Sequence, residues 1–252
     1  MLVAERHALL LDRLARDGRV VARAVASELG LSEDTVRRDL RELAAAGRCQ
    51  RVYGGAVAAS PAVVDYAART AVATESKDRV GARAARLVEP GMTVLLDGGT
   101  TSLAVVRALP RDLRCTVVTH SPTVAVALLP YEDVEVLVLG GRLFRHSAVT
   151  SGAAAVEAAS AVSCDLFLLG VTGVHPEEGL TTGDSDEAAM KRALARRSAE
   201  TVALASEEKV GAVSRFRVLP LDEVTAVVAD TRDATATTRL RERGVTVIPA
   251  DS

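Results

Sequence analysis

The sequence predicts an α/β protein of two domains, a small helical domain followed by a larger domain built on a parallel sheet. The 252 residues suffice for two packed cores, since 48% of them are hydrophobic. Residues 1–59 carry a net charge of +2, whereas residues 60–252 carry −4, which suggests segments with different tasks. From about residue 77 onward, short apolar runs alternate with helical stretches.

The composition excludes a disordered chain and a small disulfide-stabilised domain. The three cysteines are far apart, with no C-x-x-C motif and no nearby histidine pair to complete a zinc site: Cys49, Cys115 and Cys164. We therefore expect reduced thiols, no metal and no cofactor. Charged residues interrupt the first apolar run, and no apolar stretch reaches membrane-spanning length. These features predict a cytoplasmic protein without a membrane partner.

The first 45 residues predict three helices. Leucines at near-helical spacing indicate a helix over residues 5–16, and a second helix over 21–29 ends at Gly30, in the left-handed conformation typical of helix ends. Ser32 caps the third helix, because its side-chain oxygen can accept from amides of the first turn. A short helix, a three-residue turn and a longer helix form the helix-turn-helix pattern.

The third helix has one apolar face and one basic face. Val36, Leu40 and Leu43 form its buried stripe, which places three arginines on the outer side: Arg37, Arg38 and Arg41. Such arginines usually form only a solvated surface. Here they coincide with the cap and the turn, which favours docking in the major groove of double-stranded DNA.

A small β-hairpin, or wing, is expected over residues 48–56, after Gly47 ends the third helix. Its Arg48 and Arg51 can contact the sugar-phosphate backbone, which positions a protein without reading sequence. Tyr53 either joins them or packs on the helices.

The chain up to residue 57 resembles the DNA-binding segment of the DeoR family of bacterial transcriptional regulators. The resemblance is carried by SEDTVRRDLRELAAAG (32–47) and RVYGGA (51–56), preceded by ER (5–6) and DGRVVARAVASELGLS (17–32). It implies that the third helix enters an operator, with contacts from Ser32, Thr35, Arg37 and Arg38. Cys49 and Tyr53 stand where the family usually has Leu and often has His.

Residues 58–74 are expected to link the domains, because alanines, Ser60-Pro61 and scattered charges break the periodicity there. The larger domain, residues 75–252, begins with helices over 77–88 and 103–109 around a strand over 93–97. Further buried strands are predicted over 115–119, 134–139, 165–169, 201–205 and 226–229. Continuous apolar strands alternating with helices indicate a parallel sheet covered on both faces.

Ligands of such sheets bind at the carboxyl ends of the strands, where several loops here carry small and polar residues. The first has amides, hydroxyls and a helix start able to hold a phosphate: Asp97, Gly98, Gly99, Thr100, Thr101 and Ser102. Four similar loops follow strands or a turn, at Thr119-His120-Ser121, Gly140-Gly141-Arg142, residues 170–173 and residues 179–182. Their convergence would form one phosphate site.

The larger domain is similar to the effector domain of DeoR regulators, whose fold resembles ribose-5-phosphate isomerase and glucosamine-phosphate isomerase. The motifs are LLDGGTTS (95–102), VVTHS (117–121), LVLGGRL (137–143), DLFLLGVTGV (165–174), GLTT (179–182) and EAAMKRA (187–193). The resemblance implies that the domain senses a phosphorylated sugar or polyol. The implied residues are Asp97, Gly99, Thr100, Thr101, Thr119, Ser121, Gly140, Gly141, Arg142, Gly170, Gly173 and Thr181.

Two motifs depart from the family pattern. His120 replaces an asparagine, and an imidazole there could sense charge near neutral pH. The family's A-D-x-S-K-F segment reads ASEEKV over 205–210, which keeps Lys209 as a candidate phosphate or oxygen contact. Glu187 and Lys191, four residues apart, are expected to form a local helix pair.

Together these features predict a repressor of a sugar or polyol operon that a phosphorylated metabolite releases from DNA. A homodimer or higher assembly would present paired helices to the operator, and no catalytic residue is expected. One alternative is a sugar-phosphate isomerase using Asp97, Asp165, Glu187 and Lys209 as acid and base. The other is a DNA-binding protein whose second domain only oligomerises.

Overall fold

The computed structural model describes residues 1–46, 48–58, 66–231 and 234–251. The amino-terminal domain contains three helices, and its three strands form one antiparallel sheet in the order β1-β3-β2. Its elements are α1 (Val3–Asp17), β1 (Arg19–Val21), α2 (Ala22–Leu29), α3 (Glu33–Ala45), β2 (Cys49–Val52) and β3 (Gly55–Ala58).

The local signals that predict these helices have the expected geometry. Gly30 ends α2 in the left-handed region at φ 64°, and the Ser32 side chain accepts a hydrogen bond from the Thr35 amide at 3.1 Å. Leu40 and its apolar neighbours on α3 pack on Leu10 and Leu14 of α1. The helix-turn-helix with a wing is therefore confirmed, with β1 as an additional strand too short to recognise from its pattern.

The larger domain is built on seven parallel strands in the order β15-β14-β12-β9-β4-β5-β6. The helices are α4 (Tyr66–Arg69), α5 (Thr74–Ala85), α6 (Thr100–Ala108), α7 (Pro122–Leu128), α8 (Ala153–Ser160), α9 (Ser185–Ala195) and α10 (Ala234–Glu242). The strands of this sheet are β4 (Thr93–Leu96), β5 (Cys115–Thr119), β6 (Val134–Val138), β9 (Cys164–Gly170), β12 (Ser198–Ala205), β14 (Ala226–Ala229) and β15 (Thr246–Pro249). The predicted parallel sheet is confirmed.

Helices cover both faces of this sheet, which explains its continuous apolar strands. Leu96 and Leu168 face a core shared with α5, α6 and α7. Leu95 and Phe167 point to the opposite face and pack with α8, α9 and α10. None of the helices in the described part of the chain is long and apolar enough to cross a membrane.

Two smaller antiparallel sheets lie outside this arrangement, and the sequence patterns did not predict them. One joins β10 (Gly173–His175), β11 (Gly179–Thr182) and β13 (Phe216–Leu219), and the other pairs β7 (Arg142–Phe144) with β8 (Val149–Ser151). A 3-10 helix spans Leu221–Glu223. Strands of three or four residues are too short to show an alternating pattern.

The expected linker is structured where it is described. Ala58 belongs to β3, residues 66–69 form α4, and α5 begins at Thr74. The Tyr66 hydroxyl donates to Thr123 Oγ1 at 3.2 Å, so this segment packs on the larger domain. Gly47, expected to end the third helix, and Ser60-Pro61 lie outside the described residues.

Candidate functional site

Helix α3 presents the predicted arginines on one open surface. Arg37, Arg38 and Arg41 are all exposed, while Asp39 on the opposite side is buried. Arg37 forms an ion pair with Glu33 one turn earlier at 2.7 Å. Ser32 Oγ lies 2.8 Å from Thr35 Oγ1, so the two hydroxyls are held together at the start of the helix. This surface is complementary to a phosphate backbone and to guanine edges.

The wing extends this surface. Arg48 immediately precedes β2 and Arg51 lies on it, and both are exposed. Tyr53, at the turn between β2 and β3, is wholly exposed, so it does not pack on the helices. A groove between α3 and the wing is lined by Arg37, Leu40, Arg51 and residues 52–55.

A buried ion pair fixes α1 against α3. The Arg6 guanidinium donates to both carboxylate oxygens of Asp39, at 2.7 and 2.9 Å. Hydrogen bonding to Arg6 lowers the pKa of Asp39, although burial opposes the shift. Asp39 follows Arg38 directly within α3, and no local sequence pattern indicates its partner Arg6, which is 33 residues away.

A cavity of about 610 Å³, including its open mouth, lies at the carboxyl ends of β4, β9 and β12. Its wall combines the loop after β4, the loop after β9, helix α9 and the segment after β12. The lining residues are Arg69, Val72, Lys77, Gly98, Gly99, Thr100, Thr101, Ser147, Gly170, Val171, Thr172, Glu187, Lys191, Glu208 and Lys209.

The amino end of α6 opens into this cavity. Gly99 precedes the helix with φ 107°, a conformation that residues with a side chain rarely adopt, and it supplies no side-chain cap. The first-turn amides of Thr100 and Thr101 have no partner within the helix and carry the positive end of its dipole. This geometry suits an anion.

Lys209 adds a cation beside these amides. Its ammonium donates to Thr101 Oγ1 at 2.7 Å, and the residue is 7% exposed. Burial lowers the pKa of Lys209 to about 8. Among the described residues, no carboxylate oxygen lies within 4.0 Å of this ammonium, so its charge faces the cavity without an ion-pair partner.

Asp97 lies beneath the cavity and accepts four hydrogen bonds. Its Oδ1 accepts from the Gly98 amide and faces His120 Nε2, each at 2.7 Å. Its Oδ2 accepts from the Gly170 amide at 2.9 Å and from the Lys191 ammonium at 2.5 Å. Burial alone would raise the pKa of Asp97, but the adjacent Lys191 and His120 hold it well below its usual range.

Glu187 completes this buried network on α9. Lys191 contacts Glu187 Oε1 at 3.1 Å, and Ser147 donates to Glu187 Oε2 at 3.0 Å. Burial alone would lower the pKa of the Lys191 ammonium, but the carboxylates of Asp97 and Glu187 outweigh burial and raise it. The expectation of a merely local helix pair was therefore too narrow, because this pair joins α9 to the loop after β4.

His120 is held between two hydrogen-bond acceptors. Its Nδ1 lies 2.9 Å from the Thr150 carbonyl oxygen, and its Nε2 faces the Asp97 carboxylate. These two contacts fix the imidazole between β8 and the loop after β4. Lys191 lies between the carboxylates of Asp97 and Glu187, whereas Lys209 has no carboxylate oxygen within 4.0 Å among the described residues.

The structure does not bring every predicted site residue to the cavity. Gly98, Gly99, Thr100, Thr101, Gly170 and Lys209 line it, and Asp97 supports it from below. The remaining predicted residues lie elsewhere. Four are fully buried behind the cavity wall: Ser102, Thr119, His120 and Ser121. Two belong to the paired strands β10 and β11: Gly173 and Thr181. Three lie outside the lining: Gly140, Gly141 and the highly exposed Arg142.

Several lining residues escaped the sequence analysis. Arg69, Val72 and Lys77 come from the expected linker and the start of α5. Of these three residues, only Lys77 stands out in the sequence, because the chain has only three lysines. Its ammonium donates to the carbonyls of Arg69 and Val72, which ties this segment over the cavity.

A winged helix-turn-helix with an exposed arginine face, joined to an α/β domain with a cationic cavity, defines a DNA-binding transcriptional regulator with a sensor domain. Comparison with known families agrees with both halves. Residues 6–62 match the DeoR-like helix-turn-helix domain, and residues 72–231 match the DeoR C terminal sensor domain. The chain belongs to the DeoR family.

Curated relatives align over nearly their whole length. The HTH-type transcriptional regulator GlpR of Haloferax volcanii is 34% identical over 98% of both chains. The HTH-type transcriptional repressor GlcR of Bacillus subtilis is 31% identical over 90% of this chain and 88% of its own. The glycerol-3-phosphate regulon repressor of Escherichia coli is 29% identical over 90% of both. The relatives include an archaeal protein, so the similarity does not assign this chain to bacteria.

Solved structures resemble part of the chain. Ribose 5-phosphate isomerase A from Methanocaldococcus jannaschii shares 19% identity, with a TM-score of 0.41 over 54% of each chain. The enzyme from Neisseria gonorrhoeae gives a TM-score of 0.40 and 17% identity over 56% of this chain and 55% of its own.

Proposed function

We propose that this regulator represses an operon for sugar or polyol catabolism and is released from its operator by a phosphorylated metabolite in the cavity. The observation that carries the proposal is the position of Lys209 beside the amino end of α6. A buried ammonium without a carboxylate partner among the described residues lies beside first-turn amides that have no partner within their helix, a combination that fits a phosphate group.

The rest of the cavity suits a small polyhydroxylated molecule. Glu187 and Ser147 offer acceptor oxygens on one side, Thr172 contributes a hydroxyl oxygen on another, and Lys209 is a donor. Hydroxyl groups of a sugar or polyol need such paired donors and acceptors, because an unpaired polar group is costly to bury. The Escherichia coli relative is named for the glycerol-3-phosphate regulon, which agrees with this ligand class.

A short segment connects the cavity to the DNA-binding domain. Lys209 lies four residues before Val213, which packs at Gly18, the residue that ends α1. Thr172 in the cavity wall lies 2.6 Å, oxygen to oxygen, from the hydroxyl of Ser214 in the same segment. A ligand that binds the Lys209 ammonium in place of Thr101 Oγ1 would move residues 209–214 and loosen their packing on α1. The protein would then favour an arrangement that binds DNA weakly.

The isomerase alternative finds little support in the positions of its proposed residues. Asp165 lies at the start of β9, where its Oδ2 accepts from the Thr93 amide, so it is at the opposite end of the strands from the cavity. Apart from His120, the sequence places no histidine beside an acid in the site loops, and His120 Nε2 lies 2.7 Å from Asp97 Oδ1. Asp97 is nevertheless tied up in four hydrogen bonds, which leaves it unsuited to accept a substrate proton. We therefore propose a sensor without catalytic residues.

The first test is thermal melting of the full chain with matched phosphorylated and unphosphorylated sugars and polyols. A ligand present at a hundred times its dissociation constant stabilises the protein by about 2.7 kcal/mol. We expect a shift with a phosphorylated member only, abolished by Lys209→Met. The matched control is Arg114→Met, which removes an exposed cation far from the lining residues. No shift with any member would favour a domain that only oligomerises, and turnover of a sugar phosphate would favour the isomerase.

A further inference from the structure

The seven-stranded sheet has two edges, and they differ in character. At one edge, β15 is four residues long and ends with Pro249, which lacks an N–H and so weakens the edge as a template for pairing. At the other edge, β6 contains five residues without proline. Among the described residues no strand pairs with its outer side.

The outer side of β6 presents both backbone groups and apolar side chains. The Leu139 amide donates to the Thr119 carbonyl on β5, so by strand alternation Val136 and Val138 direct their N–H and C=O groups away from the sheet. Leu137 and Val138 are 46% and 47% exposed. We call this strand edge, residues 134–138 with the adjoining exposed face of α7, the β6 surface.

Helix α7 adds to the apolar area beside the strand. It packs on β6, and Val126 on its outer face is 65% exposed. Leu129, directly after the helix, is 76% exposed. Large apolar side chains left exposed together along a free strand edge indicate an interaction surface.

Charged residues flank the β6 surface asymmetrically. Glu132, Asp133 and Glu135 lie before or at the start of the strand, and Arg142 and Arg145 follow its end. All five are exposed, and two of them also have a partner in the same chain: Asp133 lies 3.9 Å from Arg114, and Arg142 lies 3.5 Å from Asp186. In an antiparallel pairing of two identical strands, the acidic start of each copy lies beside the basic end of the other. A parallel pairing would instead place like charges together.

We propose that two copies of this chain pair through the β6 surface, with antiparallel β6 strands related by a two-fold axis near Leu137. Val136 of each copy then hydrogen-bonds with Val138 of the other, and the sheet continues from one copy into the next. The pairing supplies the two recognition helices that a two-fold operator requires, and in this respect it rests on the proposed function.

Sedimentation velocity of the full chain tests this surface. We expect the wild type to sediment as a dimer or a multiple of dimers. Val138→Lys should weaken the pairing at least tenfold, because it puts a positive charge on each side of the two-fold axis and replaces an apolar contact. Val3→Lys is the matched control, since Val3 is 50% exposed on α1 and lies outside the β6 surface. Circular dichroism and melting establish that both variants fold.

A charge exchange tests the antiparallel direction. Both changes are made in an Asp186→Asn background, which removes the carboxylate 3.5 Å from Arg142. There, Glu132→Arg and Arg142→Glu alone each weaken the pairing, and the two together restore it, because the exchanged charges again meet their opposites. If Val138→Lys weakens the dimer no more than Val3→Lys does, the β6 surface is not the dimer interface, although the proposed paired repressor is not contradicted. A wild type that stays monomeric at tens of micromolar would overturn both. If the double variant does not regain wild-type pairing, the two β6 strands do not pair in the antiparallel direction.

Discussion

The buried carboxylate beneath the cavity gives a sharp test of the network. We expect Asp97→Asn to destabilise the larger domain strongly, although it changes one atom. The carboxylate accepts from Gly98 and His120 on one oxygen and from Gly170 and Lys191 on the other. An asparagine amide has one acceptor oxygen and one NH₂ group. Its NH₂ therefore faces either the Gly98 amide or both the Gly170 amide and the Lys191 ammonium, all of which are donors.

The expected loss follows from burial of the ion pair. Asp97 is fully buried and Lys191 is 2% exposed. Removing one partner of a buried ion pair costs about 3–5 kcal/mol. For a domain of this size, a loss of 1 kcal/mol lowers the melting temperature by about 2–4 °C, so a decrease of roughly 6–20 °C is expected.

Differential scanning calorimetry and urea unfolding measure this loss. Asp112→Asn is the control, because Asp112 is exposed, and its effect should stay within about 0.5 kcal/mol. The double variant with Lys191→Met should lose less than the sum of the two single variants, because the two charges interact. A loss below about 1 kcal/mol for Asp97→Asn would refute the network argument.

Three further predictions concern ligand binding, DNA binding and their coupling. In calorimetric titrations, affinity for a phosphorylated ligand should fall about tenfold between pH 7 and pH 9. Over this range Lys209, with its pKa of about 8, loses its proton, while the phosphate, with its second pKa near 6, stays dianionic. In Lys209→Met this pH dependence should vanish. In salt titrations, Arg51→Ala should weaken binding to all DNA and lower the slope of log affinity against log salt by about one. Arg38→Ala should also relax the preference for the operator sequence. Equal losses of affinity on operator and random DNA would show that Arg38 does not read bases. Gly18→Ala should make DNA affinity less sensitive to ligand, because a side chain there would lie 2.5 Å from Val213 Cγ2; Gly30→Ala, also at a helix end but in open space, should keep that sensitivity.

The sequence predicts the elements whose patterns are long. The stripe of Val36, Leu40 and Leu43, the cap at Ser32 and the left-handed Gly30 together specify the helix-turn-helix. In the larger domain, apolar runs such as residues 165–169 locate the central strands. These signals are local, since each depends on a few neighbouring residues.

The cavity is less predictable, because it is assembled from distant parts of the chain. Lys191 is 94 residues from Asp97, and its helical spacing to Glu187 suggested only a local pair. Arg69 and Val72 lie in a segment without periodicity, and nothing local shows that Lys77 ties it over the cavity. Thr119 and Ser121 follow a strand as a ligand contact would, but the β7–β8 hairpin covers that loop, with the Ser121 hydroxyl donating to the Ala148 carbonyl.

The most direct test of the account is the affinity of the full chain for its operator with and without phosphorylated ligand. An operator selected from random DNA by the protein itself would serve, with fluorescence anisotropy as the readout. We expect one phosphorylated sugar or polyol to weaken operator binding at least tenfold and its unphosphorylated counterpart to have no such effect. Lys209→Met should bind the operator but no longer respond. Release by the unphosphorylated compound, or an undiminished response in Lys209→Met, would contradict this expectation.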